Sequence, residues 1–413
     1  MKSFKKPWFN LFIAVVSIIG FMGLQQGAAY GASADGWKWK GDAGVGFAYD
    51  TNVYKFSTTQ SNRFDANSTS DQTSGRYADM DSDSDFIFTP RLRAAFRHTS
   101  PNGGAFSLKP SIAYKIYSQN TEKNYFKFGL GLTQEVGAHG VAGLDLAYSP
   151  SIFKKNYLSG TADIVNGFSP GTSVTAIQSA EEIFTAANYD KARATVSYGM
   201  RLWKNGNKDK NTYEVERVSG HVLAGYESKS YDDPFSVRDE DSYFAGFDAE
   251  LALYKSMNLT FNYLFKSTNT DVGTELLLRD EPDFGVDLNA DGDALDLSVA
   301  TLKNVDRSRN MHTLGLKTSA RIADGWKGYA KYEVRFAAYK SDETFDVTRI
   351  DRNDTRQKVG VGIKGKLAPR WNIDFGWTFT HNEAARDGLA VTDKAEAKSY
   401  NKHVISALLS YRF

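Results

Sequence analysis

The stretch DLNADGDALD places Asp287, Asn289, Asp291 and Asp293 on alternate positions, with Gly292 between the last two. Oxygen donors at that spacing, with glycine for the tight bend, match the first half of a calcium loop. The twelfth position, where a bidentate glutamate would close the cage, is Ser298, and Asp296 comes two residues early. Asp280, Glu281 and Asp283 stand close enough in sequence to supply oxygens from the other side. The 268–307 segment is therefore a candidate calcium loop, with a solvated acidic tip as its plain alternative. No cofactor is otherwise required.

The histidines offer less. Hydrolytic chemistry needs a nucleophile, a base and a group that orients the base. His312, His381 and His403 have no compelling serine partner, and His221 reads as a polar lining residue. No catalytic residue is assigned, and the chain is not expected to be an enzyme. Cysteine is absent from the 413 residues, which removes disulfide frameworks, thiolate metal sites and haem-attachment motifs.

The cations are more informative, because of the elements that carry them. From Trp37 onward, apolar and polar residues alternate in segment after segment, the period of a strand with one apolar face. In WKGYAKYEVRFAA, Trp326, Ala330, Tyr332, Val334 and Phe336 share one face, while Lys327, Lys331, Glu333 and Arg335 share the other. Fourteen such segments run 37–50, 84–98, 104–117, 123–136, 140–154, 187–203, 213–229, 241–254, 256–267, 308–322, 325–340, 354–367, 370–382 and 400–413. Each exceeds the ~9–11 residues that a tilted membrane-crossing strand requires. Connections alternate between long (51–83, 118–122, 155–186, 230–240, 268–307, 341–353, 383–399) and short (TSPNG, GAH, KNGNKDKNT, the single Lys255, AD, AP). Long loops at one rim and short turns at the other predict an all-β, antiparallel transmembrane barrel of about 14 strands.

The ends fit that reading. Lys2, Lys5 and Lys6 precede an apolar run from Leu11 to Leu24, and Ala32-Ser33-Ala34 follows. That is the layout of a cleaved secretory signal, the run being short of the ~20 residues that span a bilayer. Residues 1–34 are expected to be removed, leaving 35–413 as one barrel domain in a bacterial outer membrane. Aromatics reach 14% of the chain, and Trp37, Trp39, Tyr49, Trp326, Trp371, Tyr411 and Phe413 lie towards segment ends, as in an aromatic girdle.

The closing stretch, with Ile405, Leu409, Tyr411 and Phe413 on alternate positions, resembles the β-signal of outer-membrane proteins. The resemblance implies recognition of Tyr411 and Phe413 by the Gram-negative barrel assembly machinery. GVGFAYDTNV, from Gly44 to Val53, looks like the entry strand of surface lipoprotein assembly modifiers and related polysaccharide-export barrels. Those families carry helical repeats ahead of the barrel, which this sequence lacks.

With the apolar parity turned to lipid, the opposite parity lines the lumen. Arg91, Arg93, Lys115, Arg193, Arg201, Lys317, Lys331, Arg335 and Lys364 fall well inside their segments on that parity, and bases there outnumber acids. The long loops are acidic, so a net charge of +1 conceals a basic interior. Such a lumen favours anions. The expectation is passive diffusion of small polar, anionic solutes. Alternatives are an export or assembly barrel for polysaccharide or lipoprotein, and a loop-based adhesin or receptor. Some rim lysines could instead snorkel to lipopolysaccharide phosphates. Expected partners are outer-membrane lipid, lipopolysaccharide, the assembly machinery and small solutes, with no nucleic acid.

Overall fold

The computed structural model describes residues 37–66, 77, 80–99, 104–137, 139–158, 173–174, 184–204, 215–233, 235–253, 257–270, 273–278, 300–341, 349, 351–386 and 399–413. The expected signal segment and the candidate calcium ligands Asp287, Asn289, Asp291 and Asp293 lie outside the described residues.

The strands in chain order are β1 (Trp37–Asp50), β2 (Asp85–Thr99), β3 (Ala105–Tyr117), β4 (Tyr125–Val136), β5 (Gly140–Leu158), β6 (Ser173–Val174), β7 (Phe184–Lys204), β8 (Val215–Tyr231) and β9 (Glu240–Leu253). Then follow β10 (Met257–Asn269), β11 (Gly273–Leu278), β12 (Ala300–Val305), β13 (Arg309–Ala323), β14 (Trp326–Tyr339), β15 (Arg352–Ala368), β16 (Trp371–Arg386) and β17 (Tyr400–Arg412). An α-helix, α1 (Thr58–Ala66), sits in the first long loop.

Fourteen strands close into one antiparallel barrel in the order β1-β17-β16-β15-β14-β13-β10-β9-β8-β7-β5-β4-β3-β2. All fourteen segments read from the alternation are strands of this barrel. Closure depends on the chain end: β1 pairs β17 from Asp42↔Arg412 to Asp50↔Val404. Gly41 and Phe413 then exchange both backbone hydrogen bonds, each 3.1 Å. No strand of the barrel is left as an edge, the condition for backbone in hydrocarbon.

The alternation assigns the faces. Phe47, Leu92, Val196, Val361 and Ile405 point outward and are 52%, 49%, 56%, 45% and 60% exposed. An apolar coat of this extent does not belong in water. A sealed cylinder wearing it is a transmembrane barrel of the outer-membrane type. Trp39 and Phe413 meet edge to face at 5.9 Å, and Trp371 and Tyr411 lie 5.1 Å apart, at the rim that carries the short turns.

Three things differ from the reading of the sequence. β5, β7 and β16 run further than the alternation indicated, to Leu158, from Phe184 and to Arg386. β5 and β7 stay paired out to Leu158↔Phe184, past register shifts at Ser149/Ile152 and Phe153/Lys155 that scramble the period. β6, β11 and β12, from two long loops, form a separate three-stranded sheet in the order β11-β12-β6. The first loop, finally, is built rather than irregular. Ser57 caps α1 by accepting from the Gln60 amide (3.2 Å), while Gln60 Oε1 accepts from the Ser57 amide (3.3 Å). This reciprocal pair is a capping box, legible in the letters STTQ.

Candidate functional site

The first loop leaves β1 through the stretch YDTNVYKF, and two side chains there fix its course. Asn52 Nδ2 donates to the Phe56 carbonyl (2.7 Å) and Oδ1 accepts from the Phe56 amide (2.7 Å). Nδ2 also donates to the Asn401 carbonyl on β17 (3.1 Å), and Asp50 accepts from the Asn52 amide (3.1 Å). The tight turn forces Lys55 into the left-handed region, at φ 60. A β-carbon there costs roughly 1–2 kcal/mol, which the four surrounding bonds offset.

Beyond the turn, Phe56, Phe64, Tyr77 and Met80 pack with Phe153 of β5 into a buried cluster. A second loop holds the first in place. Asn120, fully buried, accepts from the Tyr54 hydroxyl (2.9 Å) and the Asp81 amide (3.1 Å) and donates to the Ser82 carbonyl (2.9 Å). Asp85 accepts from the Ser118 hydroxyl (2.7 Å), the Asn120 amide (2.9 Å) and Asn120 Nδ2 (2.9 Å). Tyr54 also donates to Glu122 (2.6 Å), and the Lys123 ammonium lies 4.3 Å from the centre of the Tyr54 ring. Burial raises the Glu122 carboxyl above its usual range and lowers Lys123 to about 8.

This architecture delivers Lys55 into the barrel. Four cations act on it, Lys402 of β17, Arg335 of β14, Arg356 of β15 and Lys229 of β8. Side chains from strands so far apart around the wall converge only in the lumen. Lys55 remains open to water there. Enclosure by the wall, reinforced by the four positive charges, brings its ammonium down to about 7.

The two sides of the lumen balance charge differently. On the β7–β13 side, Glu227 binds Lys191 (3.0 Å) and Lys266 (2.7 Å), and Glu240 binds Lys229 (2.7 Å) and Arg309 (3.0 Å). On the β14–β17 side, Arg356 pairs with Glu333 (2.8 Å), Arg352 with Asp354 (2.7 Å) and Lys402 with Asp50 (2.5 Å). Arg335, directly opposite Arg356 in the ladder, has no carboxylate partner among the described residues, and its Nε is buried without a hydrogen bond.

The cations expected from sequence to line the lumen fall into three groups. Arg91 and Arg93 share Asp42, at 3.6 and 2.6 Å, and Arg201 contacts His139. Lys115 lies between the rings of Tyr117 (5.8 Å) and Tyr125 (6.0 Å), and Arg193 stacks over Phe244 at 4.3 Å. Lys317 and Lys331 face each other across β13 and β14, Lys364 pairs in register with Lys327, and Arg335 lies nearer the long-loop rim. Arg335 is the one of the nine drawn into the ring around Lys55.

Sequence reasoning missed Arg356 and Lys55. Arg356 shares the parity of Lys358 and Lys364 and was available to the same argument. Lys55 was not, since it sits in a loop where period 2 says nothing. The histidines take modest roles: His312 bonds the Tyr263 hydroxyl (2.9 Å), His381 bonds Asn401 (2.8 Å), and His403 packs on Phe379 at 4.8 Å. His221 meets Asp248 at 3.3 Å.

No protein-family model and no curated protein sequence matches the chain. Among solved structures, it is similar to the translocator domain of the autotransporter NalP from Neisseria meningitidis. Identity is 11%, with 98% of each chain covered and a TM-score of 0.32. It is also similar to an anion-selective porin from Comamonas acidovorans (10% identity, 91% of this chain and 99% of that one, TM-score 0.35). A third is the Pseudomonas putida toluene transporter TodX (9% identity, 92% and 90% covered, TM-score 0.38).

Proposed function

We propose that the barrel is an outer-membrane channel through which small polar solutes diffuse passively, anions ahead of cations. The observation that carries this reading is the cation-rich inner wall, where Lys317 stands opposite Lys331, Lys327 opposite Lys364 and Arg335 opposite Arg356 on neighbouring strands. Positive charge lining a lumen with low-dielectric walls focuses the field and raises the local concentration of anions. The Debye length is about 8 Å at physiological ionic strength, so charges on the wall act on an ion that passes within that distance of them.

The inserted loop also favours small passengers over a polymer. Its aromatic cluster of Phe56, Phe64, Tyr77, Met80 and Phe153 occupies space that an exported chain would need. No catalytic chemistry enters this reading. Lipopolysaccharide and lipid surround the apolar coat, and Tyr411 and Phe413 are the residues offered to the assembly machinery.

Liposome swelling tests the proposal with solutes of matched size and different charge. Gluconate is expected to enter faster than glucose, and glucosamine slower than either. Equal rates for all three, or no entry of any, would overturn it.

A further inference from the structure

Within that channel reading, charge accounting around Lys55 points to a defined site. Every cation of the ring other than Lys55 itself and Arg335 has an acid: Lys402 has Asp50, Arg356 has Glu333 and Lys229 has Glu240. The neighbouring Arg352 is likewise held by Asp354. Among the described residues, Lys55 and Arg335 are left with none. Lys55, brought by the loop, and Arg335, on the wall, are therefore the two cations of the group that a bound anion would compensate. The Arg335 guanidinium has a buried Nε without an acceptor, and the Nε of Arg356 across the ladder lacks one as well. Arg335 and Arg356 are register neighbours across β14 and β15, and guanidinium N–H donors suit an oxyanion with several oxygens. Lys55 is open to water, so a ligand can reach it, and a bound anion would favour its charged form.

We propose that Lys55 and Arg335, with Arg356 alongside, bind a small dianionic oxyanion, making passage saturable for such solutes rather than simply diffusive. The ligand replaces the two missing counter-charges. A monoanion satisfies only one of them and binds more weakly. The inference rests on the channel reading for its role in passage, but the site itself does not need conductance to be detected.

The test has two arms on the full barrel. Titration calorimetry at low ionic strength on protein folded in detergent micelles uses inorganic phosphate, succinate and formate as probes. Phosphate or succinate is expected to bind at least about tenfold tighter than formate, in line with the strength of charge-assisted hydrogen bonds. Tighter phosphate identifies a phosphoryl group as the ligand, and tighter succinate a dicarboxylate; both support the site. Equal binding of all three, or none, overturns it. Lys55→Met and Arg335→Gln should each weaken dianion binding about tenfold or more. Lys204→Met, exposed at the end of β7 by the short-turn rim, should not, and the heat-modifiable gel shift of each variant checks that its barrel is folded. A folded Arg335→Gln barrel with unchanged affinity also overturns the proposal. The second arm records chloride current in planar bilayers with phosphate or succinate added. Concentration-dependent block is expected. Anion-selective current without block, together with absent calorimetric binding, removes the site and leaves the channel reading standing. Binding without any current removes the channel reading and leaves the site.

Discussion

Asn52 and Phe56 hold each other by two hydrogen bonds of 2.7 Å, side-chain amide to carbonyl and backbone amide to side-chain oxygen. The pair turns the first loop into the barrel instead of away from it, and with the bond to Asn401 it ties that turn to β17. Replacing Asn52 by alanine leaves two buried backbone groups of Phe56 without partners, a loss of roughly 1–3 kcal/mol for each. The ladder of the barrel wall is untouched, the bond to the Asn401 carbonyl being the wall contact that is lost. Asn52→Ala is therefore expected to fold normally while single-channel conductance rises and anion preference falls.

Lys55 gives the lumen a pH dependence. The groups that face it are Lys402, Arg335, Arg356 and Lys229, with Asp50, Glu333 and Glu240 as their counter-charges. Its value near 7 inside the barrel lies below the 10.5 of the free side chain. The charged form is thus the disfavoured one in place, and the inserted loop gains stability as pH rises from about 7 towards 10.5. The lumen loses one positive charge as pH rises through about 7. Anion preference measured at pH 6 should exceed that at pH 8, and Lys55→Met should flatten the difference.

The partition of faces makes a prediction at Val361, which shares the apolar coat with Ala330 and Trp377 near the middle of β15. Arginine there faces hydrocarbon, at about 2–4 kcal/mol near the bilayer midplane. Ser406, on the other face of β17, tolerates arginine because water surrounds it. Val361→Arg should lower the urea midpoint of the folded barrel in lipid vesicles, and Ser406→Arg should leave it nearly unchanged.

The seam is sensitive at Gly41, whose added β-carbon would lie 2.3 Å from the Phe413 ring. The ring must swing away for any larger residue, and it then leaves Trp39. Gly41→Val is expected to slow assembly into the membrane, and a second change, Phe413→Leu, to restore part of the rate by removing the clash. Pulse-labelled assembly monitored by the heat-modifiable gel shift reads both.

The barrel was legible in the sequence because its physics is one-dimensional. A strand with lipid on one side and water on the other must alternate, and fourteen strands did. The seam was legible at Phe413 for the same reason, since a closed sheet leaves no free edge. Alternation failed at Ser149–Lys155, where register shifts break the period, and at Lys55, which owes its position to the Asn52 turn and not to any strand. The capping box Ser57–Gln60 was readable in local sequence, but its neighbours Phe64 and Met80 find Phe153 across a long stretch of chain that no local pattern predicts. Arg335 was placed on the inner face from parity alone. That it has no acid among the described residues while Arg356, Arg352 and Lys402 each hold one depends on the register of β14, β15, β17 and β1.

Zero-current potential across a planar bilayer holding the purified barrel, with a tenfold gradient of potassium chloride, tests the basic lumen most directly. A potential of the sign set by chloride, shifting towards zero in Lys55→Met, is the predicted result. A potential of the sign set by potassium, or a barrel that inserts and passes no current, would contradict it.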